Sequence, residues 1–102
     1  MSKRIQADWQ VLDSLEDNSN QCCVDYFLRP DASYGFEVFR RASEDQGLWQ
    51  PLSHYSVLSF ADVEDCVNES CRRFEWIAEH SSLHDVTNYC EMLKSKVDLS
   101  SL

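Results

Sequence analysis

The sequence predicts a single α+β domain, in which a small antiparallel meander of about three strands packs one face against an N-terminal helix and two C-terminal helices. Apolar residues alternate with a period of two through the middle of the chain, which is typical of strands. On either side they recur every three or four residues, which is typical of helices. The length of 102 residues and the 43% hydrophobic content suit one domain, residues 1–102, with a buried core.

The first predicted element is a helix between Ser2 and Asp17. Apolar residues at spacings of four, three and three would share one helical face, and these are Ile5, Trp9, Leu12 and Leu15. A strand through residues 9–12 is the alternative. The polar run at 17–21 then predicts a loop.

The middle of the chain predicts a hairpin. Alternate residues over 22–28 are apolar, with charged residues on the opposite face. Residues 30–33 have turn chemistry, and the alternation resumes over 34–41. Residues 48–52 and 54–58 predict either a third strand interrupted at Pro51 or two short strands, because proline has no N–H to donate to a sheet.

Two helices are predicted after the strands. The first runs from Ser59 to Glu79, with Ser59 as N-cap and Asp62 at the N3 position of a capping box. Its apolar stripe comprises Phe60, Val63, Val67, Cys71, Phe74, Ile77 and Ala78. The second begins at Ser82, with Asp85 at the same spacing, and its apolar face comprises Val86, Tyr89, Cys90, Leu93 and Val97. Residues 98–102 are expected to form a frayed tail.

The balance of charges excludes several classes of partner. Nine Lys and Arg against eighteen Asp and Glu give a net charge of −9, whereas nucleic acids and anionic membranes are bound through clustered cations. We therefore expect no direct contact with nucleic acid and no binding to a membrane. No apolar run approaches the length that spans a bilayer, and the first residues lack the apolar stretch of a signal peptide. With five cysteines, an odd number, the chain is expected to be cytoplasmic with free thiols.

Motifs that would identify an enzyme are missing from the sequence. It contains no G-x-S-x-G, H-E-x-x-H, P-loop or G-x-G-x-x-G pattern. We therefore expect a non-catalytic protein that needs no cofactor. A small enzyme, the third interpretation of the sequence, would require a pocket in which His54, His80 or His84 lies within hydrogen-bond reach of a carboxylate or a thiol.

Cysteine and histidine spacing gives only a weak metal signature. The pattern C-x4-C-x8-H-x3-H is formed by Cys66, Cys71, His80 and His84. Two-Cys two-His sites have a shorter first gap and a longer central one, and cysteines five residues apart on a helix diverge by about 140°. We expect no metal, with Cys71 and Cys90 in the core and Cys66 beside the apolar stripe. In the pair Cys22–Cys23, one thiol should be buried and the other should lack an adjacent cation.

The predicted hairpin carries arginines beside aromatic residues, a combination that holds single-stranded nucleic acid in other proteins. The residues are Arg29, Arg40 and Arg41 with Tyr26, Tyr34, Phe36 and Phe39. Given the net charge, we favour a structural interpretation. The aromatic residues then form the core face of the sheet, and the arginines pair with Asp25, Asp31 and Glu37 across the strands.

The candidate functional surface combines tryptophans with carboxylates. Trp49 is predicted in a loop, and Trp76 lies about 160° from the centre of the helical stripe. Each is either covered by another element or exposed as an anchor for a partner. The predicted partner-binding residues are Trp49, Trp76, Asp65, Glu69, Glu75 and Glu79. We expect a regulatory module that binds another protein, in particular one with a basic surface.

The acidic helix exterior supports one alternative function. An inhibitor of phage or mobile-element type could imitate nucleic acid, with its carboxylates occupying a basic channel in place of phosphates. That interpretation is an analogy from size and charge alone. Homodimerisation through an open sheet edge or an apolar helix flank is a further alternative.

Overall fold

A four-stranded antiparallel sheet forms one layer of the computed structural model, which describes residues 8–42, 48–51 and 55–100. The strands lie in sequence order as a meander. They are β1 (Gln10–Glu16), β2 (Cys22–Leu28), β3 (Tyr34–Ala42) and β4 (Leu48–Pro51). The central hairpin and its turn lie where the alternation predicts them.

Helices pack on one face of the sheet and complete an α+β fold. They are α1 (Val63–Arg73), α2 (Glu75–Ala78) and α3 (Val86–Ser100), with 3-10 turns at Tyr55–Val57 and Ser81–Leu83. The core between the layers contains Leu12, Leu15, Val24, Tyr26, Phe36, Val38, Val63, Cys66, Val67, Ile77, Leu83, Tyr89, Cys90 and Leu93. The predicted fold class is confirmed.

The N-terminal helix prediction is wrong over residues 10–16, which form β1. The helical spacing of Leu12 and Leu15 has another cause, a β-bulge at Leu12 where the register with β2 shifts between Val11 and Asp13. A bulge places an extra residue on one strand, so that both leucines enter the same core although three residues separate them. The part of the predicted helix before residue 8 lies outside the described residues.

The outward edge of β1 is covered in part by α3. The Lys96 ammonium donates a hydrogen bond to the Leu12 carbonyl at 2.8 Å, and the Tyr89 hydroxyl donates to the Asp13 carboxylate at 2.8 Å. A lysine over a strand edge is one of the devices that prevent edge-to-edge pairing of sheets. This edge is therefore a poor candidate for the predicted homodimer contact.

Both faces of the central strands are buried, which the sequence did not predict for the face that carries Asp25 and Glu37. These carboxylates lie opposite each other across β2 and β3, and they are 0% and 2% exposed. The Ser14 hydroxyl donates to Asp25 at 2.6 Å. On the same face the Trp9 ring stacks on Phe27 with centroids 4.9 Å apart. The aromatic residues of the hairpin are thus divided between two buried faces.

Arg29 forms hydrogen bonds with several backbone carbonyls and not with a carboxylate across the strands. The Arg29 guanidinium donates to the carbonyls of Tyr34, Ser56 and Leu58 and lies 4.6 Å from the centroid of the Trp9 ring. The prediction that Arg29 pairs with a neighbouring strand carboxylate is therefore wrong. Backbone carbonyls of the 55–58 segment use its donors.

Glu37 binds the same segment through its backbone N–H groups, whereas Arg29 binds its carbonyls. Its carboxylate accepts hydrogen bonds from the backbone N–H groups of Tyr55 and Ser56, both at 3.0 Å, and from that of Val38 at 3.2 Å. Arg29 and Glu37 therefore satisfy the carbonyls and the amides of one irregular segment, as buried backbone groups require. This segment was predicted as strand, but it forms a 3-10 turn over Tyr55–Val57.

Gly35 allows the close packing of the hairpin face, and we expect Gly35→Ala to lower the free energy of unfolding by about 2 kcal/mol. A Cβ atom at this position would lie 2.5 Å from Cε1 of Phe27 and 2.9 Å from a terminal nitrogen of Arg29. The Phe27 ring is fully buried and stacked on Trp9, so it cannot move away without loss. Urea denaturation measures the effect, and a change below about 0.5 kcal/mol would contradict the packing described here.

The single long helix predicted from Ser59 to Glu79 is divided into α1 and α2. Phe74 is extended, with φ −133° and ψ 111°, and its ring packs edge-on against Tyr55 at 5.4 Å. The predicted cap at Ser59 is wrong. Phe60 pairs its backbone with Tyr34 in both directions, and α1 begins only after Asp62.

The second predicted helix is confirmed with different ends. Asp85 accepts a hydrogen bond from the Asn88 amide at 3.1 Å and so caps α3. α3 continues to Ser100, into the segment predicted as a frayed tail, and residues 101–102 lie outside the described part. Cys66 is fully buried and Cys71 only half-buried, the reverse of the prediction.

Candidate functional site

The predicted partner-binding residues fall into separate places. Trp76 and Glu79 lie together on and just after α2, and they line one cavity. Asp65 and Glu75 are exposed, and Glu69 is half-buried on α1; none of them lines that cavity. The backbone of Trp49 belongs to β4, but its side chain lies outside the described part of the structure.

The Trp76 cavity has a volume of about 310 Å³ and lies between α2 and the β1–β2 turn. It is lined by Asp17, Asn18, Trp76, Glu79, His80 and Ser81. The Trp76 side chain is half-buried and packs against the core. It is therefore a fixed aromatic wall with carboxylates beside it.

Asp17 is held rigidly on the turn side of the cavity. One carboxylate oxygen accepts the backbone N–H groups of Gln21 at 3.0 Å and Cys22 at 3.2 Å, and the other accepts the Ser19 hydroxyl at 3.0 Å. Burial alone would raise the pKa of Asp17, but these hydrogen bonds outweigh it and hold the pKa below its ordinary value. The cavity therefore contains a fixed negative charge at neutral pH.

The β1–β2 turn that carries Asp17 depends on its asparagine and on an arginine from β3. Asn20 has a positive φ of 59°, which asparagine tolerates better than most residues. The Arg41 side chain donates to the Asn20 carbonyl at 2.8 Å. The turn is thus fixed to the sheet, and the carboxylate side of the cavity is preorganised.

His80 closes the cavity at the corner between α2 and the following 3-10 turn. Its Nδ1 accepts a hydrogen bond from the Ser82 amide at 3.0 Å. A neutral imidazole with one accepting nitrogen carries its proton on the other. With Nδ1 accepting this hydrogen bond, Nε2 is the ring nitrogen that is left as a donor.

Carboxylates on α1 are neutralised in part within the chain. Glu69 pairs with Arg72 and Arg73, both at 2.5 Å. The hydrogen bonds from these two arginines, Arg72 first, hold the pKa of Glu69 below its ordinary value. Glu64 pairs with Lys94 of α3 at 3.4 Å. In the described ranges Glu79 has no ion pair, so its charge remains available at the mouth of the Trp76 cavity.

A second cavity, the Asp85 cavity, has a volume of about 520 Å³ and shares Ser81 with the Trp76 cavity. Its lining residues are Asp13, Ser81, Ser82, His84, Asp85, Asn88, Tyr89 and Met92. Asp13 is already engaged there, by the Tyr89 hydroxyl and by Lys96 at 3.6 Å. Asp85 uses one oxygen to cap α3, and its second oxygen accepts no hydrogen bond from the described residues.

Four of the five cysteine thiols lie in surroundings that favour their protonated form. Burial raises the pKa values of Cys22, Cys66 and Cys71, and raises that of Cys90 to about 11. The thiolate is the reactive form of cysteine. The structure therefore gives no sign of an activated thiol at Cys22, which is half-buried beside the buried Cys23.

Slow thiol modification and a loss of stability at alkaline pH are the expected consequences. The native protein should react with a disulfide reagent at least about tenfold more slowly than the urea-unfolded chain. The cysteine pKa values are higher in the folded protein than in the unfolded chain, so ionisation of the thiols favours unfolding. The contribution of the protonated thiols to stability is therefore complete below about pH 8 and is lost as the pH rises. The urea midpoint should therefore fall between about pH 8 and pH 10. Native thiols that react as fast as unfolded ones would contradict this prediction.

The side chains with metal-binding or catalytic chemistry lie apart in the described residues. Over residues 8–42, 48–51 and 55–100, no three His, Cys, Asp or Glu side chains are placed to hold a metal ion. Neither His80 nor His84 forms a hydrogen bond with a carboxylate or thiol of the described residues, and His54 lies outside them. No helix in these ranges is long and apolar enough to cross a membrane.

Of the predicted partner-binding residues, Trp76 and Glu79 line the cavity, and His80 was predicted only as a residue of a possible enzyme pocket. Trp76 lies on α2 and Glu79 directly follows it, whereas Asp17 and Asn18 reach the site only through the fold. The run of Asp, Asn and Ser at 17–20 indicates a turn with fixed side chains, but nothing in it names Trp76 as a neighbour. Comparison of the chain with family models, with curated proteins and with solved structures finds no match.

Proposed function

We propose that this protein is a non-catalytic module that binds another protein by receiving a lysine or arginine side chain in the Trp76 cavity. The observation that carries the proposal is the combination of a half-buried indole wall with the carboxylates of Asp17 and Glu79 in one cavity. Aromatic faces attract cations, and the attraction increases when water is excluded. A buried tryptophan with charged neighbours is also a typical anchor of protein interfaces.

The choice of a basic partner follows from charge. Asp17 is held in its ionised state by backbone amides, and Glu79 has no ion pair within the described residues. The net charge of −9 adds a long-range field that attracts basic surfaces and speeds their association. Within the chain, Arg29 already stacks on Trp9, which illustrates the contact that we propose for the partner.

The proposal requires fewer residues than a surface that imitates nucleic acid. Imitation of phosphates would depend on rows of unpaired carboxylates along α1, and two of these, Glu64 and Glu69, are paired with cations of the same chain. A single cavity with a tryptophan wall is instead suited to one inserted side chain. The proposed binding should depend on Trp76 and Glu79 and much less on Asp65.

Selection from a random peptide library displayed on phage tests the proposal. Peptides captured by the wild-type protein should be enriched in arginine and lysine, and Glu79→Gln should weaken their binding about tenfold, the usual effect of a lost charge-assisted hydrogen bond. Glu75→Gln is the matched control, because it removes the same charge one turn away, at the start of α2 and outside the cavity.

Salt dependence separates this mode of binding from charge imitation. Binding of a selected peptide should weaken between about 0.05 and about 0.5 M salt and yet remain measurable, because stacking on the indole is less screened than a surface ion pair. Enrichment of peptides without basic residues would overturn the proposal. Equal weakening by Glu75→Gln and Glu79→Gln would overturn it as well.

A further inference from the structure

We infer that the Asp85 cavity is a second subsite of the same surface, which receives a second basic side chain from the same partner segment. The inference rests on the proposed function of the Trp76 cavity. Its partner is correspondingly a segment with two basic residues a short distance apart, in place of an isolated lysine or arginine.

The two cavities are neighbours in the fold. Ser81 lines both of them, and it begins the 3-10 turn over Ser81–Leu83 that connects α2 to α3. Leu83 in that turn is only 4% exposed, which anchors the turn to the core. A peptide that crosses Ser81 can therefore place one side chain in each cavity without movement of the protein.

The lining of the Asp85 cavity suits a long basic side chain. Met92 is partly exposed and provides apolar surface for a methylene stem, beside the largely buried Tyr89. Lysine and arginine bury such stems while their charged ends stay in polar surroundings. The carboxylate of Asp85 has an oxygen left for the charged end. Asp13 contributes less, because Tyr89 and Lys96 already bind it.

The polar side chains around Asp85 can form hydrogen bonds with the backbone of the partner segment. Within the described residues, neither the Ser82 hydroxyl nor the Asn88 side-chain amide forms a hydrogen bond. An amide both donates and accepts, so it can bind a peptide group that passes over the cavity. Backbone contacts between the subsites would fix the direction of the segment.

Synthetic peptides with two arginines separated by different numbers of glycines provide the test. In the control peptides, the second arginine is replaced by citrulline, which has the same shape without the charge. Each peptide is titrated into the 102-residue protein while two NMR signals are followed. The indole N–H of Trp76 reports on the first cavity, and the side-chain amide of Asn88 reports on the second.

At the best spacing, the two-arginine peptide should bind about tenfold more tightly than its citrulline control, because the second contact becomes intramolecular. Asp85→Asn should abolish this difference and leave the affinity for the control peptide unchanged. Asparagine is as good an N-cap as aspartate, so α3 should remain folded. Asp65→Asn, which removes an exposed charge outside both cavities, should preserve the difference.

The outcomes separate the second subsite from the first. Equal affinities at every spacing, with the Trp76 signal shifting and the Asn88 signal unchanged, would overturn the second subsite and leave the proposed function intact. If Trp76 does not respond to any peptide, both the subsite and the proposed function are wrong.

Discussion

Replacement of Glu37 by glutamine should lower the free energy of unfolding by about 3 kcal/mol, because hydrogen bonds to a buried charged group contribute more than neutral ones. Three backbone N–H groups, those of Val38, Tyr55 and Ser56, donate to its two oxygens. Glutamine retains one of the oxygens and places an NH₂ group where the other was. At least one N–H group then faces a donor instead of an acceptor, in a site only 2% exposed.

Urea denaturation followed by circular dichroism measures this loss. The midpoint should move to lower urea while the slope of the transition stays constant, as expected when the folded and unfolded states keep their compactness. Glu75→Gln is the control, because Glu75 is exposed and should change stability by less than about 0.5 kcal/mol. If Glu37→Gln were as stable as Glu75→Gln, the Glu37 carboxylate would not hold the backbone N–H groups of residues 55 and 56.

Replacement of Arg29 by methionine should destabilise the protein by about 2–3 kcal/mol, because methionine keeps the stem of the side chain and removes every donor. The carbonyls of Tyr34, Ser56 and Leu58 would lose a charged donor. Stacking on Trp9, at 4.6 Å from the ring centroid, would lose its cation. Chemical denaturation of this variant is again the measurement.

The effects of the two substitutions should not add. Arg29 binds the carbonyls and Glu37 the N–H groups of the segment that includes Tyr55 and Ser56. Once one substitution has released this segment, the hydrogen bonds of the other side chain are already weakened, and the second substitution costs less stability. In a double-mutant cycle, the double variant should be more stable than additivity predicts by about 1 kcal/mol. Additive effects would mean that the side chains hold the segment independently.

The central part of the fold could be predicted because local signals agree with the tertiary structure. Residues 22–28 and 34–41 alternate in polarity, the turn between them contains Pro30 and Asp31, and the hairpin forms there. The face of α3 could likewise be predicted from its spacing, because Tyr89, Cys90 and Leu93 are the residues that it buries.

The ends of the fold were predicted less well because tertiary contacts overrule the local pattern. A bulge gives β1 the leucine spacing of a helix, and an extended Phe74 interrupts a stripe that would otherwise continue. The burial of Asp25 and Glu37 could not be predicted, since both charges alternate with apolar residues as they would on a solvated sheet face. Only the position of the 55–58 segment explains Glu37.

Only some residues of the candidate site could be predicted from the sequence, for a similar reason. A tryptophan away from an apolar stripe is unusual enough to be noticed from sequence, which identified Trp76. Its neighbours across the cavity come from a distant turn, and no local pattern links Asp17 to α2. The Asp85 cavity depends on the same corner of the chain, where Ser81 is shared.

The most direct test of the proposed function is an isotope-filtered NOE measurement on the protein with an arginine peptide, acetyl-Gly-Gly-Arg-Gly-Gly-amide. NOEs should connect the δ-methylene protons of the arginine to the indole ring of Trp76, and at the same concentrations they should be weaker in Glu79→Gln and unchanged in Glu75→Gln. NOEs to Trp9 or to exposed residues of α1 in place of Trp76 would contradict the proposal, as would the same NOEs from a citrulline peptide.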